Sequence, residues 1–229
     1  LRRAWMTMRD QELDTLCIVD QEQNLQGVIT VKDVATANMD GLDPHALETA
    51  KTSYENILDI LDGTVLVGDV AGRTVEGRIV IGSGSAEQIE KSISPGDVVV
   101  VSNRAESLLA ALEMDAGCIV VCASSKVSRT MQMLAEEKGC ILISTELSTY
   151  VAGQVLSQAA PIRYYMTQSN LLTFTLHTPV EEATKVMASV RFRYFPVLDD
   201  DGRYIGVVSR RNMLNLHKKQ LILVDHNEK

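Results

Sequence analysis

The sequence predicts a mixed α/β chain in which two copies of a small strand–turn–strand–helix unit flank an inserted, mostly parallel α/β domain. Three observations lead there. First, a stretch near the start returns near the end. Leu16-Cys17-Ile18-Val19-Asp20 and then Gly27-Val28-Ile29-Thr30-Val31-Lys32-Asp33 are matched by Phe195-Pro196-Val197-Leu198-Asp199 and Gly206-Val207-Val208-Ser209-Arg210-Arg211-Asn212. Cys17 to Gly27 spans the same offset as Pro196 to Gly206, and such an internal repeat decides the architecture. Second, fully apolar strand-like runs alternate with helical patterns in the middle, the mark of a parallel sheet buried on both faces. Third, 229 residues with 45% hydrophobic content suit one or two globular domains.

The elements follow in order. Apolar residues at 1, 4, 5 and 8 predict an amphipathic helix from Leu1 to about Arg9. Strands are expected at Leu16–Val19 and Leu25–Ile29, joined by the polar turn Asp20-Gln21-Glu22-Gln23-Asn24. A helix then runs from Val31 to about Met39, and Gly41-Leu42-Asp43-Pro44 breaks the chain. Leu47, Ala50, Tyr54, Ile57, Leu58 and Leu61 form one stripe at helical spacing, which Gly63 ends.

In the middle, strand-like runs lie at Val65–Val67, Arg78–Ile81, Val98–Val101, Cys118–Val121 and Ile141–Ile143. Helical patterns separate them at Ala86–Ile93, Ala105–Met114 and Val127–Glu137, and a last helix covers about Thr149–Ser157. The final unit begins with a strand at Leu171–Thr175. Thr178 is expected to cap the next helix with Pro179 at its first position and acids in its first turn. Strands Tyr194–Leu198 and Tyr204–Val208 and a helix Arg211–Leu216 complete the repeat, and a strand-like run closes the chain at Leu221–Val224. Both ends read as cut, so the sequence is taken as a piece of a longer protein.

Composition narrows the function. A net charge of −8 argues against a nucleic-acid partner, which demands a basic face. No apolar run approaches the roughly 20 residues of a membrane span, and no signal peptide opens the chain. Cys17, Cys118, Cys122 and Cys140 lack C-x-x-C spacing and sit in apolar surroundings, as reduced thiols of a cytoplasmic protein do.

In each repeat a hydroxyl and a carboxylate or amide sit three residues apart where the second strand enters a helix: Thr30 and Asp33, then Ser209 and Asn212. Plain helix capping accounts for such pairs. So does ribose binding, since an ionised carboxylate accepts from two hydroxyls at once. Arg191, Arg193, Arg210 and Arg211 cluster in an acidic chain, either as a solvated face or as a phosphate clamp, because guanidinium binds phosphate in a fork. If Arg191 and Arg193 follow strand alternation, both point to one side. The corresponding place in the first copy is Glu12-Leu13-Asp14, which makes the clamp one-sided. Leu172, Phe174 and Phe195 line an adenine pocket or fill the core. Gly82-Ser83-Gly84-Ser85 lacks the Lys-Ser/Thr of a P-loop and reads as a turn. His45, His177 and His217 have no partners at ligand spacing.

With these residues in view, each repeat resembles a CBS module, the β-α-β-β-α unit whose tandem pairs bind adenine nucleotides. The signature Gly-h-h-Ser/Thr-x-x-Asp is complete at Gly27 to Asp33 and carries Asn in the last place at Gly206 to Asn212. The insert resembles the DRTGG domain of the regulatory region in family II inorganic pyrophosphatases, carried by Ile143-Ser144-Thr145, Tyr150-Val151-Ala152 and Pro161-Ile162-Arg163-Tyr164-Tyr165-Met166-Thr167. The Thr-Gly-Gly of that domain stands here as Cys122-Ala123-Ser124. Val224-Asp225-His226-Asn227-Glu228 is similar to the Asp-His-His/Asn motif of the pyrophosphatase catalytic domain.

The resemblance implies a first CBS module with linker helix at 1–62, a DRTGG-like domain at 63–160, a second CBS module at 161–220, and the start of a catalytic strand at 221–229. It implies nucleotide contacts at Gly27, Thr30, Asp33, Leu172, Thr173, Arg191, Arg193, Phe195, Ser209 and Asn212. In the intact parent, Asp225 and His226 would bind Mn2+ or Co2+/Mg2+, a donor pair that suits such metals; the fragment itself would not catalyse. AMP, ADP, ATP or diadenosine polyphosphates would bind the CBS cleft of a homodimer, mononucleotides inhibiting and dinucleoside polyphosphates activating pyrophosphate hydrolysis. The alternative is a ligand-free dimerisation or scaffold module of a non-enzymatic regulator.

Overall fold

The computed structural model describes residues 1–39, 43–124 and 126–213. By its contacts the chain divides into two units. Unit 1 comprises Leu1–Met6 and Lys32–Tyr165, and unit 2 comprises Thr7–Val31 and the chain from Met166 onward.

Unit 1 is built on a five-stranded sheet of β3 (Thr64–Val67), β4 (Ile79–Gly82), β5 (Val98–Ser102), β6 (Cys118–Cys122) and β7 (Ile141–Ser144). Their order is β3-β7-β6-β5-β4. β4 to β7 are parallel, and β3 closes one edge antiparallel to β7. Val98–Val101 and Cys118–Val121 are wholly buried, which explains their unbroken apolar runs. Strand alternation divides them between two cores. Val98, Val100, Val120 and Ile143 pack with Leu47, Tyr54, Ile57 and Leu156, while Val99, Val101, Ile119 and Leu142 pack with Ile89, Leu108, Leu112 and Ala135.

The second core is covered by α5 (Ala86–Ser92), α6 (Ala105–Glu113) and α7 (Arg129–Glu137), each a crossover between adjacent parallel strands. Crossovers of one hand bring all three to the same face. The other face carries α3 (Ala46–Thr49), α4 (Tyr54–Leu61) and α8 (Thr149–Leu156). The stripe from Leu47 to Leu61 is therefore two helices. Lys51 takes a left-handed φ of 49° and Ser53 caps α4 by accepting from Asn56 N, so a single helix cannot continue through them. Asp62, also left-handed, ends α4, and Gly63 N bonds Leu58 O at 3.0 Å. α7 begins two residues later than the periodicity predicts because Ser128 is its cap.

In unit 2, β1 (Thr15–Val19) and β2 (Leu25–Thr30) form an antiparallel hairpin. In the sequence it is preceded by α1 (Arg2–Asp10), which is divided between the units after Met6, and followed by α2 (Val31–Met39), which belongs to unit 1 from Lys32 on. The second copy forms a sheet of β8 (Phe174–Thr175), β9 (Tyr194–Leu198) and β10 (Tyr204–Ser209) in the order β10-β9-β8, with α9 (Val180–Ser189) packed on it. Only two residues of the expected strand 171–175 pair with β9. α9 starts at Val180, with Pro179 at the cap position. The Thr178 hydroxyl instead accepts from Thr175 N at 3.0 Å, tying the loop back to β8. Of the last predicted helix, 210–213 are described as helical; the rest, and the strand-like run at 221–224, lie outside the described residues. Among the described residues no helix is long and apolar enough to cross a membrane.

Candidate functional site

The two hairpins of unit 2 repeat each other in detail. Thr15 pairs with Thr30 and Tyr194 with Ser209, and both ladders shift register at the same place, opposite Gln26 and opposite Ile205. Each turn is held by an aspartate. Asp20 Oδ1 accepts from Glu22 N and Asn24 N at 2.9 Å, and Asp199 Oδ1 accepts from Asp201 N at 3.0 Å and Arg203 N at 2.8 Å. Hydrogen bonds from Asn24 hold the Asp20 carboxyl below its usual range. Asn24 and Arg203, equivalent residues of the two copies, form an antiparallel bridge, so the hairpins face each other across a local pseudo-twofold.

At the far end of each hairpin the second strand turns into a helix. Val31 N donates to Asp14 O at 2.9 Å, and in the second copy Arg210 N donates to Arg193 O at 3.3 Å. Thr30 is thus set beside Asp14, and Ser209 beside Arg193. The second copy gathers Arg191, Arg193, Ser209 and Asn212. Arg191 and Arg193 are exposed but belong to a bend before β9, so strand alternation does not set their direction, contrary to expectation. The bend is instead tied down by Arg210, whose guanidinium Nη2 donates to Val190 O. The buried Nε of Arg210 has no hydrogen-bond partner among the described residues, and an unmade bond to a charged group costs about 1–3 kcal/mol or more.

Ser209 and Asn212 form a reciprocal cap. Asn212 N donates to Ser209 Oγ at 3.3 Å, and Ser209 N donates to Asn212 Oδ1 at 3.0 Å; the Ser209 hydroxyl donates to the same oxygen. The capping arrangement is real here, and it leaves the amide NH2 of Asn212 as a donor. Thr30 ends β2 and Asp33 lies in the first turn of α2, partly exposed.

Two of the expected contact residues are buried. The side chain of Phe195 is wholly buried against Phe174, with ring centroids 5.3 Å apart, in a core with Ala183 and Met187. It has no face left for a base, whereas Leu172 and Thr173 are exposed. Gly27 serves close packing: a Cβ there would stand 2.8 Å from both Met166 Sδ and Thr167 O, because Val28 pairs with Thr167. The equivalent Gly206 has nothing within 4 Å of such a Cβ among the described residues.

Two side chains escaped the sequence reading. Tyr194 donates its hydroxyl to Asp14 Oδ2 at 2.9 Å, joining the copies at the site. Burial first, and then the Asp14 carboxylate, raise its pKa, while Arg193 and Arg211 act in the opposite sense. Tyr204 shares a hydrogen bond with Cys17 and is pushed up to about 12, chiefly by burial. The place of Asp14, opposite Arg193 in the repeat, was the available signal for the first. Asp225 and His226 lie outside the described residues, and among the described residues no cluster of three His, Cys, Asp or Glu could hold a metal. His45 and His177 pair with Glu48 and Asp200 on the surface.

Comparison with known proteins defines the class. The CBS domain family matches residues 1–40 and 162–219, and the DRTGG domain family matches 56–159. The chain carries CBS and DRTGG domains. More particularly, it is similar to regulatory regions of inorganic pyrophosphatases. It is 28% identical over 229 residues to a cobalt-dependent inorganic pyrophosphatase of Clostridium perfringens, covering 100% of this chain and 42% of that protein. It is 26% identical over 223 residues to a probable manganese-dependent inorganic pyrophosphatase of Thermotoga maritima, covering 97% and 40%. The chain thus spans well under half the length of these relatives. The crystal structure of the CBS and DRTGG domains of the regulatory region of Clostridium perfringens pyrophosphatase, complexed with the activator diadenosine tetraphosphate, matches with a TM-score of 0.84 at 26% identity over 91% of each chain.

Proposed function

We propose that this chain is the adenine-nucleotide-sensing regulatory region of a manganese- or cobalt-type inorganic pyrophosphatase. One observation carries the reading: the match over 91% of each chain to a regulatory region that was crystallised with a dinucleotide activator. The proposed organisation is a first CBS module at 1–62, a DRTGG-like domain at 63–160, a second CBS module at 161–220 and the beginning of a catalytic strand from 221, in a homodimer. The nucleotide is AMP, ADP, ATP or a diadenosine polyphosphate. Its ribose is assigned to the Thr30 and Ser209 turns, and its phosphates to Arg191 and Arg193. The exposed arginines support a phosphate there.

Regulation follows if the nucleotide binds one arrangement of the modules better than another, since a ligand shifts an equilibrium only by its differential affinity. The divalent metal, which supplies a Lewis acid and an activated water for hydrolysis, belongs to the rest of the parent. Asp225 and His226 are its proposed ligands from this chain, and no step is assigned to the described residues.

Calorimetric titration of the chain with AMP, ADP, diadenosine tetraphosphate and adenosine tests the reading. Arg193→Ala should weaken the phosphate-bearing ligands about tenfold, as the loss of a charge-assisted bond of roughly 1.5 kcal/mol predicts. Adenosine should be unaffected, and added salt should erode wild-type affinity for the charged ligands. Absence of binding by every nucleotide, or equal loss for adenosine, would overturn it.

A further inference from the structure

The two copies present the same backbone with opposite charge. At the turn from second strand to helix, Asp14 O takes Val31 N where Arg193 O takes Arg210 N, and Thr30 occupies the place of Ser209. Around this shared frame the first copy carries Glu12 and Asp14 where the second carries Arg191 and Arg193. All four side chains are exposed and lie in unit 2. The Asp14 carboxylate is held in place at 2.9 Å by the Tyr194 hydroxyl, so the negative charge is positioned at the first half-site and is not a wandering surface group.

We infer that the two half-sites are unequal: the Ser209 half-site holds the phosphates of a bound nucleotide, and Glu12 and Asp14 bar phosphate from the Thr30 half-site. The inference rests on the nucleotide-binding reading above and adds its stoichiometry and polarity. A phosphate at the first half-site would approach two carboxylates at short range. Like charges near a protein surface cost enough at such distances to change affinity by tenfold or more. Each chain then takes one phosphate-bearing nucleotide, although the repeat supplies two similar frames. Glu12 and Asp14 act as specificity-determining residues.

The test is calorimetric titration of the full chain with ADP as the probe and adenosine as the uncharged comparison. Wild type should bind one ADP per chain. Glu12→Gln combined with Asp14→Asn keeps the acceptor for Tyr194 and should admit a second ADP, within about tenfold of the first in affinity. Glu12→Gln alone, which leaves the Tyr194 contact intact, should raise second-site affinity in the same direction if the double variant folds poorly. Tyr194→Phe, which alters no charge, should leave the stoichiometry at one. Adenosine binding should not respond to the carboxylate variants. Two equal ADP sites in wild type, or one site unchanged in both carboxylate variants, would overturn the inference while leaving nucleotide binding standing. Failure of wild type to bind ADP at all would instead remove the reading beneath it, and the inference with it.

Discussion

Ala123 offers a direct test of the loop that leaves β6, where the related domain carries glycine and this chain does not. Its φ is 52°, in the left-handed region that an L-residue occupies at a cost of ~1–2 kcal/mol. The loop gives it no choice. Ala123 N donates to Leu147 O at 2.8 Å, and Ser124 bridges to Thr145. Thr145 is itself buried, donating to Leu61 O at 2.7 Å and accepting from Leu147 N at 3.2 Å. Ala123 is exposed, so removing its methyl loses almost no burial. Ala123→Gly therefore relieves the strain, offset by the ~0.4–1 kcal/mol that glycine's freedom adds to the unfolded chain. The expected net gain is about 0.5–1 kcal/mol. For a chain of this size that raises Tm by roughly 1–4 °C. Urea titration of the whole chain followed by circular dichroism, with Ala123→Val as the opposing variant, measures it. The valine, β-branched in a left-handed position, should destabilise. If glycine is neutral or harmful and valine is tolerated, the loop does not hold the conformation on which this reasoning depends.

The remaining predictions concern both units. Gly27→Ala should destabilise unit 2 by ~1–3 kcal/mol because the new Cβ meets the Thr167 carbonyl, while the same change at Gly206 should be close to neutral; paired melting curves decide it. Because hydrogen bonds depress the Asp20 pKa in the folded state, its contribution is present above the unfolded value near pH ~4 and is lost as pH falls through the folded one. Stability measured from pH 6 to pH 3 should fall less steeply in Asp20→Asn than in wild type. Burial raises Cys122 to about 11 and Cys140 to about 12 and holds Cys118 well above the usual thiol range, while Cys17 is raised but half-exposed. Native alkylation at pH 8, read by mass spectrometry, should label Cys17 first and the other three only on unfolding.

Much of this architecture was legible because its causes are local. Strands buried on both faces must be apolar throughout, which marked Val98–Val101 and Cys118–Val121 as parallel strands before any contact was known. The repeat carried its own geometry, since equal spacing around Asp20 and Asp199 yields equal turns and equal register shifts. The glutamates in the first turn of α9 likewise act within a few residues. Where local signals competed, the stripe from Leu47 to Leu61 read as one helix, because periodicity survives a break when the residue after it falls back into phase.

Local sequence therefore specifies the elements, their hydrophobic faces and the residue types brought to each strand-to-helix turn. Which segments cover them is set by long-range packing. Phe195 is buried because α9 and Phe174 close over it. Gly27 and Gly206, identical in motif, differ because Thr167 lies against one and, among the described residues, nothing lies against the other. Asp14 became part of the site because Tyr194, 180 residues away in sequence, reaches its carboxylate. Such contacts depend on how distant segments fold together, and no local period or propensity encodes them.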